Sequence, residues 1–196
     1  VVQTFIIRED MPPLEALRTG NDSSICGACP LRGEAVADAS RLPIGRVCYV
    51  DVSKSVSAVF KAYARGIYPE GDPATVGAGR VVRLGSYGDP AAVPAEVWLA
   101  LVSRATGHTG YTHQWRTTPA LKPLVMASAD TLSGGLSARL EGWRTFRLAE
   151  FPGVDEIECP SSRGVQCVDC RLCDGAGVAR NITIPPHGPG AKYLNA

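Results

Sequence analysis

Apolar and polar positions alternate in short blocks along this chain, and each block has the length of a strand or a short helix. Val2–Arg8 concentrates Val2, Phe5, Ile6 and Ile7 and predicts a first strand. Apolar runs of this kind suit strands buried on both faces. Pro12-Pro13 ahead of Leu14–Arg18 predicts a short helix closed by Gly20. A second helix is expected from about Ser53 to Arg65, with Ser53 as N-cap, an apolar face of Val56, Val59, Phe60 and Tyr63, and Gly66 as its stop. The alternation then repeats. Arg80–Gly85 reads as a strand, and Pro94–Arg104 as a helix ended by Gly107. Gly110–Gln114 and Leu124–Ala129 read as strands, Leu132–Gly142 as a helix, and Thr145–Ala149 and Asn181–Ile184 as strands. Gly71–Gly79 and Pro185–Gly190 are loops by composition. Strands separated by helices of about ten residues indicate βαβ units and a mainly parallel sheet, an α/β fold spanning residues 1–196 as one domain. In such sheets functional groups collect at the carboxyl ends of the strands.

Composition narrows the classes. The 196 residues are 45% hydrophobic and 20% charged, as in an ordinary globular protein. Twenty Lys and Arg against 19 Asp and Glu give a formal charge of +1, which carries no footprint for nucleic acid or an anionic membrane surface. No apolar run approaches the roughly 18 residues of a membrane span. The opening VVQTFIIRED lacks the basic and apolar regions of a secretory signal, so a cytoplasmic location is expected.

The cysteines change the picture most. Their number, seven, is odd and fits a disulfide framework poorly. In a reducing compartment clustered thiols more often hold metal. Cys26, Cys29 and Cys48 fall in a loop over residues 21–52, and Cys159, Cys167, Cys170 and Cys173 in a segment over 157–178. The later group contains a C-x2-C-x2-C run, with Cys159 followed by Pro160. That spacing matches ferredoxin-type 4Fe–4S ligation, where thiolates at i, i+3 and i+6 of a tight turn reach neighbouring corners of the cluster. Gly164, Gly175 and Gly177 would let the backbone wrap it and aim amides at its sulfurs. Zinc is the alternative metal, although four-cysteine zinc sites usually use two separated C-x2-C knuckles.

Cys26-Gly-Ala-Cys29-Pro is a second C-x2-C, and Cys48 follows it at a distance, ahead of a helix. Three thiolates would leave one iron of a second cluster with an open coordination position, and open positions are where metal sites do chemistry. Alternatively Cys48 is simply buried, and Cys26 and Cys29 form a zinc knuckle or share ligands with the later group.

This layout resembles the radical S-adenosylmethionine fold. There a strand leads to a three-cysteine loop, a helix follows, and a second strand ends in a glycine-rich acidic turn. Val2–Arg8, the Cys26/Cys29/Cys48 loop, helix 53–65 and RVVRLG-SYGDP keep that order. Gly88-Asp89-Pro90 looks like the family's Gly-Gly-Glu-Pro turn, which implies contact with the methionine amino group of S-adenosylmethionine. The six expected strands match the family's partial barrel, implying a partial (β/α)6 architecture with an auxiliary cluster on the last four cysteines. The cysteine spacing departs from the family's C-x3-C-x2-C, being x2 and then x18. The chain also resembles uncharacterised cysteine-rich bacteriophage proteins, through CGxCP, CYV before a helix, LGxYGDP, GYTHQW, GWRTFR and the final cysteine run. That resemblance implies a viral protein acting in the bacterial host's cytoplasm and brings no established activity.

Further polar residues fall at expected strand ends. His113, with Gln114, ends GYTHQW, and His187 follows the last strand; each is either a ligand or wall of a site or an ordinary structural histidine. His108 reads as a solvent-facing turn residue. Ser128 and Asp130 end LVMASAD, as substrate contacts or, for Asp130-Thr131, as a helix cap. Arg144 and Arg147 lie on opposite faces of a strand and suit salt bridges or an anion. Arg83 and Tyr87, near the GDP turn, are weaker candidates of the same kind, and Trp98 reads as core. No Walker loop, dinucleotide fingerprint or Ser-His-Asp arrangement is visible. The expected function is a redox enzyme using an open-site 4Fe–4S cluster, with His113 and Ser128 as catalytic residues and Gly88–Pro90 as the S-adenosylmethionine turn. A metal-stabilised module that binds a host protein or nucleic acid, and a simple electron carrier, are the other readings.

Overall fold

In the computed structural model, which describes residues 1–176, 180–188 and 190–191, seven parallel strands form one open sheet. The strands are β1 (Val2–Phe5), β2 (Val81–Tyr87), β3 (Gly107–Thr112), β4 (Met126–Ala129), β5 (Thr145–Leu148), β6 (Glu156–Glu158) and β7 (Asn181–Ile184). Their order is β1-β2-β3-β4-β5-β7-β6. Five strands laid down in sequence, each parallel to the last, wind in one direction, which suits a partial barrel that stays open between its edge strands β1 and β6. The last expected strand has the bounds anticipated. Gly177, Val178 and Pro189, which belong to the expected cysteine segment and final loop, lie outside the described residues.

Among the described residues, seven α-helices accompany the sheet: α1 (Pro13–Thr19), α2 (Ser23–Cys26), α3 (Ser57–Ala64), α4 (Pro73–Gly77), α5 (Ala95–Val102), α6 (Leu132–Leu140) and α7 (Cys167–Cys170). Gly20 closes α1 in the left-handed conformation, φ 77°, as expected of a helix-ending glycine. One core joins Val82, Leu84, Val125 and Ala127 of the sheet region to Leu17, Val56, Trp98, Leu101 and Ala138 of the helices. Trp98 is buried there, and its indole N–H donates to the Pro90 carbonyl at 2.8 Å. A smaller core packs Met126, Ile182, Tyr111 and Phe146 against Cys159, Cys173 and Leu172, so the C-terminal cysteine segment lies against strand residues that the main core does not use.

Several local expectations are corrected. β6 was not anticipated: Glu156-Ile157-Glu158 offers one apolar residue, and charge suits an edge. Gly107 opens β3 instead of ending a helix; α5 already stops at Val102. The Asp51 carboxylate, accepting from the Ser53 amide at 3.1 Å, caps the segment before α3 in place of Ser53. That segment, Val52–Val56, is π-helical and kinks at Lys54, and Tyr63 on the expected apolar face is exposed. Residues 71–79 are not all loop, because Asp72 caps α4 by accepting from the Ala74 and Thr75 amides. Asp72-Pro73 is the start signal that composition alone hid. No helix among the described residues is long and apolar enough to cross a membrane.

Candidate functional site

Both cysteine groups converge on one cavity of about 570 Å³ at the carboxyl edge of the sheet. Cys26, Cys29 and Cys48 line it from the loop between β1 and β2, and Cys159 and Cys167 from the C-terminal segment. The volume is that of a small-molecule site.

The first loop is fastened by two arginines. The Arg32 guanidinium binds the buried Asp22 carboxylate and donates to the Gly20 carbonyl at 2.8 Å, closing the turn that leads into α2. Arg46 donates to the carbonyls of Cys48 and Val50 at 2.9 and 2.8 Å, holding the chain on either side of Tyr49. Between Cys26 and Cys29, Gly27 takes φ 59°, and a Cβ there would lie 2.5 Å from the Gln114 side chain. Glycine is required at that turn.

All seven cysteines are free thiols. Burial pushes the Cys26 thiol up, and the charges of Asp22, Cys29 and Cys48 push it further. Burial also raises Cys48, against the opposing charge of Arg46. Cys173 is pushed up to about 12, first by burial and also by Cys159, Cys167 and Cys170, although a hydrogen bond with Tyr111 opposes the rise. Each group therefore interacts within itself. The four C-terminal thiols also line a separate void of about 10 Å³. Members of both groups, Cys26, Cys29 and Cys48 with Cys159 and Cys167, share the larger cavity. Among the described residues, no three His, Cys, Asp or Glu side chains stand close enough to hold a single metal ion. Cys26, Cys48 and Cys173 resist ionising, chiefly because they are buried, and a bound cation would offset that penalty. Soft thiolates suit iron–sulfur clusters and zinc.

His113 follows β3 and reaches the same cavity. Its Nε2 stands 3.2 Å from Asp130 Oδ1 and 3.9 Å from Cys29 Sγ. Burial alone would lower this imidazole, but the Asp130 carboxylate and the Cys29 thiol outweigh it and lift it to about 10. Asp130 thus orients His113, while Thr131 caps α6 through its hydroxyl, which accepts from the Gly134 amide at 3.0 Å. Ser128 of β4 also lines the cavity.

The turn Gly88-Asp89-Pro90 divides. Gly88 and Asp89 line the cavity, whereas Pro90 is buried in the core. Asp89 Oδ1 accepts from the Thr112 hydroxyl at 2.6 Å and the Ala91 amide at 2.9 Å, and Oδ2 accepts from the His113 amide at 2.8 Å. A carboxylate offers about four acceptor positions, so three are filled from within the protein.

His187 is a cavity wall: its ring lies 5.1 Å from that of Tyr49, and its Nδ1 stands 3.0 Å from the Pro185 carbonyl oxygen. His108 is not the solvent-facing turn residue expected; it sits in β3 with Nε2 2.8 Å from the Asp174 carbonyl oxygen. Arg147 forms a buried salt bridge with Glu156, and Arg144 pairs with Asp174. The walls that sequence reasoning missed are Tyr49, Tyr111 and Phe146. Tyr111 and Phe146 stack with ring centroids 4.1 Å apart. The available signal for Tyr49 was its place beside Cys48; the other two required the strand register. Comparison of the chain with protein-family models, with curated proteins and with solved structures finds no match.

Proposed function

We propose that this chain is an iron–sulfur redox enzyme that acts on a small molecule held in the cavity. Cys26, Cys29 and Cys48 would hold one 4Fe–4S cluster, leaving one iron without a protein thiolate. Cys159, Cys167, Cys170 and Cys173 would hold a second. The observation that carries this reading is the convergence of cysteines far apart in the chain on one cavity at the carboxyl edge of a parallel sheet. When bound, a cluster with an open iron supplies an electron to a co-substrate, which the family resemblance suggests is S-adenosylmethionine.

The chain's own residues do the rest. The Tyr49–His187 and Tyr111–Phe146 pairs wall the cavity with rings. His113 holds a proton at Nε2, oriented by Asp130. Asp89 ties the end of β2 to the end of β3 and keeps one acceptor position for a ligand amine. Ser128 offers a hydroxyl within the same walls.

Anaerobic purification followed by iron and acid-labile sulfide analysis tests this. Equal amounts of iron and sulfide are expected, with an electron paramagnetic resonance signal that changes on adding S-adenosylmethionine. Colourless protein with stoichiometric zinc and no sulfide would sink the proposal.

One observation favours the alternative of a metal-stabilised binding module. Leu132, Leu136 and Leu140 lie at successive i, i+4 positions of α6 and are all exposed, Leu140 at 90%. An apolar stripe of that kind suits a protein partner better than nucleic acid. Metal that supports folding but never responds to a small molecule would favour that reading.

A further inference from the structure

The polar groups of β2 that face the cavity define what kind of molecule it takes. Arg83 lines the wall with no carboxylate partner: among the described residues, no Asp or Glu forms an ion pair with it. Its one side-chain hydrogen bond is to the neutral Tyr49 hydroxyl, and its guanidinium carbon lies 5.9 Å from the Tyr49 ring centroid. The other cavity arginines are committed, Arg32 to Asp22 and Arg46 to backbone carbonyls. A half-buried guanidinium without a counter-anion in a largely apolar cavity is a receptor for one.

Four residues along the same strand, Tyr87 is 4% exposed and its hydroxyl has no hydrogen-bond partner. The hydroxyl of Ser86 is likewise buried and unpartnered. Unpaired buried donors cost about 1–3 kcal/mol each and call for a reason. The two ends of β2 adjoin different parts of the cavity wall. Arg83 pairs in register with Thr109, next to Gly110, whose amide donates to the Cys173 carbonyl at 3.0 Å, whereas just beyond Tyr87 the Asp89 amide donates to the Ile25 carbonyl at 2.7 Å, beside Cys26. The strand bulges between them at Gly85, φ 68°, so that β1 advances only from Gln3 to Phe5 over the same span. Tyr49 and His187 supply ring faces within the same cavity.

The geometry points to a ring-bearing organic anion as the ligand. Its carboxylate or phosphate monoester binds Arg83, its ring lies against Tyr49 and His187, and an acceptor atom at its far end takes the Tyr87 hydroxyl. The far end then lies toward the loop that carries Cys26. As a statement about a substrate this rests on the proposed function; as a statement about binding it needs no cluster.

The test is ligand-observed magnetic resonance on the full chain. The probes are ring-bearing carboxylates and phosphate monoesters, each paired with its amide or its unphosphorylated counterpart. Members of both anionic sets separate the two sources of charge. Anionic members should bind at least tenfold more tightly than their neutral partners. Arg83→Gln should erase that preference, Arg83→Lys should restore part of it, and circular dichroism should show all variants folded. Tyr87→Phe should weaken the anions that carry a distal acceptor and leave those without one unchanged. Equal binding of charged and neutral probes, binding unaffected by Arg83→Gln, or no binding overturns the inference. So does an Arg83→Gln variant that changes only iron content, since Arg83 would then serve the cysteines alone. Iron and sulfide analysis of the same sample reports separately on the proposed function.

Discussion

Asp89 offers a quantitative test of which parts of the cavity are scaffold. Its carboxylate is 6% exposed and accepts three hydrogen bonds, from Thr112 Oγ1 at 2.6 Å, His113 N at 2.8 Å and Ala91 N at 2.9 Å. The Thr112 hydroxyl in turn accepts from the Gln114 amide at 2.9 Å, so the carboxylate anchors the whole turn after β3. Hydrogen bonds to a charged group contribute about 1.5–3 kcal/mol each, and a buried donor left unpaired costs about 1–3 kcal/mol. Asp89→Ala should therefore destabilise the protein by about 4 kcal/mol, a large part of the roughly 5–15 kcal/mol that holds a domain together. Asp89→Asn keeps an oxygen for Thr112 and Ala91 but sets an amide NH2 against the His113 N–H. It should cost about 2 kcal/mol. Urea unfolding followed by the fluorescence of buried Trp98, Trp115 and Trp143 measures both. If both variants stay within about 0.5 kcal/mol of wild type, the carboxylate is spare and the structural argument is wrong.

Three further predictions follow from other parts of the molecule. Burial raises the Glu156 carboxyl, but the Arg147 guanidinium, the Thr183 hydroxyl and the Gly153 amide outweigh it and lower it from 4.5 to about 2. Its contribution of about 3 kcal/mol is present above pH 4.5 and lost as pH falls toward 2, so wild type should lose stability over that window relative to Glu156→Gln; parallel acid-unfolding curves would refute this. Gly77→Ala should cost about 3 kcal/mol in thermal or urea unfolding, because a Cβ there would overlap the Leu101 carbonyl oxygen where α4 meets α5; an unchanged midpoint would contradict that contact. Cys48→Ser should lower the iron content associated with the first group while leaving that of the second, and Cys173→Ser should do the reverse. Simultaneous loss of all iron from either variant, with the fold intact by circular dichroism, would mean the thiols share one site.

Much of this architecture was legible because its signals are local. Asn181–Ile184 and the apolar part of Leu124–Ala129 announce strands, and Pro13 and Gly20 mark the ends of α1. The two cysteine groups were legible as segments too, and the fold brings members of each to one cavity. β6 was not, because a three-residue edge strand with one apolar side chain leaves no periodicity to read. Tyr111 and Phe146 belong to strands that are not adjacent, and their contact depends on register across β4, which no local pattern encodes. Asp89 lines the cavity as its position suggested, but its structural role was hidden for a related reason. A glycine-flanked acid after a strand looks like a ligand contact, and only the neighbouring strand shows that Thr112 and His113 already use it.

What the thiols hold can be read by anomalous diffraction at the iron and zinc absorption edges from anaerobically grown crystals. Iron-edge peaks are expected in two places, one among Cys26, Cys29 and Cys48 and one among Cys159, Cys167, Cys170 and Cys173, with no zinc-edge signal at either. Zinc-edge peaks at those cysteines, or thiols with no anomalous scatterer between them, would contradict the proposed function.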